Sequence, residues 1–457
     1  MKITIVGGGT AAYYSACLIH LLHHRTRKQA PTIDIIVPKD SSPIGVGEGS
    51  LPAMVSTLTE LKILPSDIDA TNKLAVFYKN WYSEKDSEHN NGYHIFPSEK
   101  LNDMKAEELW EFNKKFHNIK QLNSLHTYRI NTRATYAYHF DTHLLLEKLR
   151  NCAHILGCKT LTGTVKKVEK TKDEIKAITL NNGIKVKSDY YIDCTGFKRV
   201  LMSEFSTEII DFSNEILVDS AISVSIPGKN SIENITTTEA LSSGWKWTIP
   251  LRTKTGHGYV YSSKFLSKQE AKKEFLEAIG IPENSNLKFQ EFKWTPSVQK
   301  INYVKNACGL GLASGFVEPL EATSLGSVTN AIGWLVFGYW GNPDADYKAF
   351  NDNGIKYFTD IKDFLLTAYT SSKRKNSKFW RYYSKNISYS ERIKEKLKTT
   401  PETLDGNKRN IMYHISNNAK ATDYIIKRRK ERDFKLRSEL FTPGSWLQYK
   451  TIFNIEE

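Results

Sequence analysis

Cysteine is scarce in this 457-residue chain: Cys17, Cys152, Cys158, Cys194 and Cys308 make an odd count of five, with no Cys-x-x-Cys pair. That pattern excludes a disulfide framework and fits reduced thiols in a cytoplasmic protein. Long apolar runs are missing too. None approaches the roughly 20 residues that a membrane helix needs, so no membrane partner is expected. The chain opens directly on strand-like Lys2-Ile3-Thr4-Ile5-Val6, without the apolar stretch of a signal peptide. Dense blocks of one charge are few. The balance of 64 basic to 50 acidic residues leaves +14, most of it scattered lysine. The densest run, Lys427-Arg428-Arg429-Lys430, sits in a polar, helix-like tail and reads as a solvated face more readily than as a nucleic-acid patch. His20, His23 and His24 share one helix, but no carboxylate or cysteine joins them, so no metal is expected.

What is present supports a large core. Hydrophobic residues make up 40% and aromatic residues 12%, which argues against wholesale disorder, and the length suggests two or three intertwined domains. Ile3-Thr4-Ile5-Val6 reads as a buried strand. Gly7-Gly8-Gly9-Thr10-Ala11-Ala12 follows at once, then an apolar helix to about His24. Strand, glycine turn and helix are the context in which Gly-x-Gly-x-x-Gly/Ala marks a dinucleotide site. Gly7 permits the turn, Gly9 lets a pyrophosphate approach, and Ala12 allows close packing of helix on strand. Thr10 and Ala11 begin the helix whose free amides and dipole face the phosphates. The second strand, Ile33 to Val37, should end in an acid for the ribose; it ends in Val37-Pro38-Lys39-Asp40, so either Asp40 serves from the loop or the ribose is held poorly.

Further along, Ile44-Gly45-Val46-Gly47-Glu48-Gly49-Ser50 reads either as a loop joining sheet to helix or as a strap beside a flat ring. Thr162 to Tyr191 reads as three short strands with a tight turn at Asn182-Gly183. Residues 205–300 are strand-rich around Gly244-Trp245-Lys246-Trp247-Thr248-Ile249-Pro250, where alternation puts both indoles on one face. Gly309 to Gly326 carries Gly309, Gly311, Ala313, Ser314 and Gly315, which let backbone come close to a ligand. Pro319 then stiffens a turn with two carboxylates, Glu318 and Glu321. Thr323, Ser324 and Gly326 lead into a helical pattern at Val328, Ala331, Ile332 and Leu335, whose first amides suit an anion. From about 327 onward the pattern is mostly helical.

In this order the motifs resemble those of flavin-dependent halogenases of the tryptophan-halogenase family. The Gly-Val-Gly-Glu strap, the lysine after it, the Trp-x-Trp-x-Ile-Pro motif and Phe-x-Glu-Pro-Leu-Glu cover about three quarters of the chain. The resemblance implies an α/β fold: an FAD-binding, Rossmann-like domain of the glutathione-reductase type, an interleaved strand-rich substrate region and a helical C-terminal part. The implied boundaries are 1–330, with 82–135 and 205–300 on the substrate side, and 331–457. It implies that Gly7, Gly9, Thr10, Ala11, Ala12, Val46, Gly47, Glu48, Gly49, Val165, Gly311, Leu312 and Leu325 hold FAD, used as FADH2. Thr323 and Ser324 hold halide, although serine departs from the family's glycine. Lys73, in an aromatic-rich strand running from Ala70 to Trp81, is the catalytic lysine, and Glu321 is the carboxylate facing it; Lys79 is solvated. Leu74, Ala75 and Val76 around Lys73 suggest a partly buried amine with a lowered pKa. His94 and Phe96 stack on the aromatic substrate, and Trp245 and Trp247 wall the flavin side. Halide, chloride, bromide or iodide, is oxidised to hypohalous acid, which Lys73 delivers with Glu321 assisting. The implied partners are an aromatic small molecule and a separate flavin reductase, with no nucleic acid; a homo-oligomer is expected. A flavin monooxygenase or flavin-linked reductase of the same fold is the alternative, and a basic nucleic-acid-binding flavoprotein the remote one.

Overall fold

The first strand of the chain is buried on both faces, and the fold is built outward from it. In the computed structural model, which describes residues 1–26, 29–39, 49–83, 91–96, 135–228, 233–342, 344–398, 441, 443–453 and 455, Lys2–Val6 (β1) lies inside a six-stranded sheet. It pairs in parallel with Tyr190–Asp193 on one side and Thr32–Val37 (β2) on the other, aligning Ile5 with Ile192 and with Ile35. The unbroken apolar run in β1 suits a strand with both faces covered. Thr10–Arg25 (α1) crosses between β1 and β2 and buries Ala12, Tyr13, Tyr14, Leu18, Ile19 and Leu22. At about 1.5–3 kcal/mol for each large side chain buried, that face holds the helix rigidly against its sheet.

Gly7 makes the turn between them. Its φ is +139°, and a Cβ there would lie 2.4 Å from the carbonyl oxygen of Cys194. A small antiparallel meander, Val165–Lys170, Ile175–Leu180 and Lys185–Val186, stands apart from the main sheet. Gly183, with φ +87°, turns its last hairpin at the predicted place.

The stretch from Ala70 to Trp81 is not one strand. Thr71–Lys73 (β3) and Ala75–Lys79 (β4) part at Leu74 and enter different sheets. Burial explains the break: Lys73, Leu74, Ala75 and Val76 are each at most 1% exposed, so no solvent-facing side remains for a simple alternation. The Leu74 amide donates to Asn234 and its carbonyl accepts from Phe96. β4 continues the strand-rich region: it pairs in parallel with Ile235–Leu241 and antiparallel with Asn91–Ile95 (β5), at the edge of a seven-stranded sheet. β3 pairs instead with Ala137–His139 (β6), setting Thr71 opposite His139.

Trp245 and Trp247 project from the same face of Gly244–Pro250, and both are buried. Trp247 lies opposite Gly258, where a Cβ would fall 2.0 Å from the indole. Glycine thus makes the slot that the ring occupies. Helices follow, beginning with Ser324–Trp334 (α2) and including Tyr347–Thr370; Pro443–Ile452 (α3) packs against β5. The Gln448 side chain donates to the Ile95 carbonyl and accepts from its amide, imitating a neighbouring strand. One apolar cluster runs from Ile3 to Phe453. No helix among the described residues is long and apolar enough to cross a membrane.

Candidate active site

Where β3 ends, the Lys73 side chain turns inward and is 1% exposed. Its Nζ lies 5.4 Å from the centre of the Phe96 ring, and 3.7 Å from where a Cβ on Gly49 would stand. The end of the glycine strap therefore reaches the lysine. Burial pushes the amine down to about 8, with the negative charge of Glu321 working in the opposite direction. Lys79, by contrast, is half-exposed and pairs with Glu239.

Beside Lys73 stands a fully buried imidazole that sequence reasoning passed over. His139 is bridged to Gly49 across the strap. Thr71 Oγ1 donates to the Pro250 carbonyl, so His139 Nδ1 donates to Thr71 Oγ1 at 3.2 Å and Nε2 accepts from Thr236 Oγ1 at 2.8 Å. Burial, followed by the charge of Lys73, holds this histidine neutral, well below its ordinary pKa.

Glu321 is 1% exposed, and three donors reach its Oε1: Tyr78 Oη at 2.5 Å, His94 Nδ1 at 3.0 Å and Tyr449 Oη at 3.1 Å. The two tyrosine hydroxyls also touch each other. Burial alone would raise the carboxyl pKa, but His94, Lys73 and Tyr78 outweigh it and keep Glu321 low and ionised. Three hydrogen bonds to a charged acceptor hold the carboxylate in one orientation. His94, expected only as a stacking ring, is thus engaged edge-on with Glu321, while Phe96 lies by Lys73. Tyr78 and Tyr449 were also missed. The signals were an inward-facing tyrosine on β4 and the helical spacing of Trp446, Tyr449 and Phe453.

The turn before α2 places the remaining candidates. The Ala322 amide closes on Pro319, and Ala322 has φ +55°, a conformation that costs an L-residue roughly 1–2 kcal/mol. Strain next to Glu321 sets Thr323 as the N-cap and Ser324 as the first residue of α2, with no side chain capping the helix. Free amides there suit an anion. Leu325, next in the helix, is partly buried. Glu318 is fully buried and accepts from Trp245 Nε1 at 3.1 Å, tying the turn to the tryptophan wall.

Several residues expected to hold the cofactor meet elsewhere. Gly9 caps α1 with no side-chain hydrogen bond, and a Cβ on Gly9 would meet nothing within 4 Å among the described residues. Gly311, at φ +61°, backs onto Ala11, and Leu312 lies in the same short turn. Open space over a glycine, bounded by unsatisfied helix amides, fits a dinucleotide pyrophosphate. Val165 opens the first meander strand. Asp40, Val46, Gly47 and Glu48 lie outside the described residues, as do most of 82–135 and the basic run near 427. Cys194 is a partly buried thiol whose pKa is raised by desolvation, with the charge of Asp193 adding to it.

The chain is similar to known proteins along most of its length. The tryptophan halogenase family profile matches residues 2–453. The tryptophan 7-halogenase RebH of Lentzea aerocolonigenes is 28% identical over 438 residues, covering 87% of this chain and 81% of that protein. The tryptophan 6-halogenase ThaL of Streptomyces albogriseolus is 28% identical over 454 residues, with the same coverage of 87% and 81%. In fold, a flavin-dependent halogenase from Xanthomonas campestris superposes with a TM-score of 0.79 at 23% identity, over 100% of this chain and 89% of that one. The chain belongs to the tryptophan halogenase family and is an enzyme of the flavin-dependent halogenase class.

Proposed function

We propose that this enzyme halogenates an electron-rich arene, indole- or phenol-like, with Lys73 presenting the halogen and Glu321 assisting. The observation that carries the reading is a buried lysine amine within electrostatic reach of a carboxylate fixed by three hydrogen bonds. Gly7, Gly9, Thr10, Ala11, Ala12, Val46, Gly47, Glu48, Gly49, Val165, Gly311, Leu312 and Leu325 would hold FAD, whose reduced form would supply the two electrons that turn oxygen and halide into hypohalous acid and water. Thr323 and Ser324 hold the halide through backbone amides. Trp245 and Trp247 keep bulky molecules from the cofactor side.

At Lys73 the halogen is bound or polarised through Nζ. A carbon of the arene attacks it, the bond from halogen to its carrier breaks, and a ring proton must then leave. Glu321 Oε1 already accepts three hydrogen bonds, and none of them reaches Oε2. Oε2 is therefore the atom free to stabilise the cationic arene and take that proton. His94 holds the carboxylate from behind, and Phe96 offers its ring to a planar substrate. The cofactor is reduced by a separate flavin reductase, and the enzyme acts in the cytoplasm.

Supplying a flavin reductase, FAD, each of chloride, bromide and iodide, and a panel of indoles and phenols should yield halogenated product by mass spectrometry. Lys73→Ala should abolish it while FAD still binds. Product from the alanine variant at the wild-type rate would reject the assignment.

A further inference from the structure

The Glu318–Glu321 turn carries two buried carboxyl groups, and the reaction above uses only one. Their surroundings differ sharply. Glu321 is surrounded by donors. Glu318 is fully buried, and only its Oε2 is bonded, accepting from Trp245 Nε1 at 3.1 Å and from the Leu320 amide at 3.3 Å. Its Oε1 is buried without a partner among the described residues. Oε2 is occupied by two N–H groups, so Oε1 is the oxygen with room for an acid proton. Burial agrees: reinforced by the charge of Glu321, it pushes Glu318 up to about 8, and the hydrogen bonds from Trp245 and Leu320 offset only part of that. Environments that drive neighbouring carboxyls apart mark distinct roles.

A second buried donor is left over nearby. Trp81 Nε1 has no partner among the described residues, and its ring lies 6.4 Å from that of Trp245 and 5.4 Å from that of Tyr369. Tyr369 Oη is likewise buried without a partner among the described residues. Three unpaired polar groups in one aromatic surround, each leaving about 1–3 kcal/mol of desolvation uncompensated, call for a small polar guest. The ionised Glu321, three residues from Glu318, disfavours an anion there. A small neutral oxygen compound is the guest that fits this chemistry: water at rest, hypohalous acid in turnover. Glu318 also relates to both ends of the proposed route: it is bonded to Trp245, expected beside the cofactor, and lies within electrostatic reach of Glu321.

We infer that Glu318 is a positioning residue for hypohalous acid, donating from Oε1 to the oxygen of the guest, with Trp81 as second donor, on its way to Lys73. This rests on the halogenase reading. Glu318→Gln keeps a neutral donor in the same place, with the amide oxygen still accepting from Trp245; Glu318→Leu removes it.

The test partitions the oxidant. Turnover with bromide and indole is run beside a β-diketone that bleaches on capturing free hypobromous acid. The ratio of bleaching to bromoindole should rise about fivefold in Glu318→Leu, the loss of one buried hydrogen bond, and rise less in Trp81→Phe. Glu318→Gln should match the wild type, and FAD affinity should be unchanged throughout. A folded Leu variant that leaks no more than wild type overturns the inference, as does a Gln variant that leaks as Leu does. Infrared difference spectra of wild type against Glu318→Gln give a readout independent of activity and of the Leu variant's folding. They should contain the carbonyl stretch of a protonated carboxylic acid at neutral pH, and a spectrum without that band also overturns the inference. If the wild type makes neither bromoindole nor bleached diketone, the halogenase reading fails, while the infrared band still decides the state of Glu318.

Discussion

Single atoms at two glycines of the first turn, Gly7 and Gly9, separate folding from binding. Gly7 cannot carry a Cβ, because the atom would meet the Cys194 carbonyl oxygen at 2.4 Å with φ at +139°. Gly7→Ala should therefore lose roughly 2–3 kcal/mol of stability, read as a lowered Tm without any flavin present. Gly9 has open space instead. Gly9→Ala should melt within about 0.5 kcal/mol of wild type, yet bind FAD about tenfold more weakly, because the methyl takes the space of the pyrophosphate. Equal melting of the two variants would contradict the distinction. Glu318 makes a pH prediction at the same scale. Its pKa rises from about 4.5 unfolded to about 8 folded. Between those values the folded state holds a proton that the unfolded state has released, so stability falls as pH rises through that window. Glu318→Gln removes that loss. Its advantage over wild type should grow between pH 4.5 and 8, by up to about 4 kcal/mol, and level off above; denaturant titrations at pH 5 and pH 8 measure it.

Elements were legible in the sequence where local chemistry fixes them. Strand, glycine turn and helix at Ile3 to His24 needed only φ, apolar period and helix amides, and the Asn182-Gly183 hairpin needed only its turn. The run from Ala70 to Trp81 was not, because its break at Leu74 is decided by Asn234 and Phe96, far away in the chain. The tyrosine pair was hidden for the same reason: Tyr78 and Tyr449, 371 positions apart, meet Glu321 only through tertiary packing. His94 shows a third kind of gap. Its residue type and place were readable, but an imidazole bonded to Glu321 and one stacked on a ring look alike in sequence. The hydroxyls give the element-scale prediction. Tyr78→Phe removes the shortest of the bonds to Glu321 and should slow halogenation about tenfold, with Tyr449→Phe slowing it less. FAD affinity should not move in either. Steady-state rates beside flavin binding check this, and a Tyr449→Phe rate below that of Tyr78→Phe would reverse the ranking of the two bonds.

Across the whole molecule the two chemical tasks draw on different lengths of chain. Every described residue of the proposed cofactor cradle lies before position 330, between Gly7 and Leu325. The reaction end uses the same first part but is closed by α3, which carries Tyr449 to Glu321 and grips the edge of β5 through Gln448. Gln448 satisfies both backbone groups of Ile95, next to Phe96 and one residue after His94, so its loss should loosen the substrate side alone. Gln448→Ala leaves that amide and carbonyl without their partners, a penalty of about 1–3 kcal/mol concentrated on one edge strand. Hydrogen exchange should accelerate at Ile95 and across α3, by about tenfold or more, while amides in β1 and α1 keep wild-type protection. Halogenation should fall with FAD affinity intact. Cutting the chain after Lys398 removes α3 altogether and should extend the result: no product, but flavin still bound within about threefold of wild type, because the cluster around β1 retains its sheet and first helix. If the truncated chain instead loses flavin and product together, the cradle does not stand without the C-terminal helix, and the two tasks share one cooperative unit.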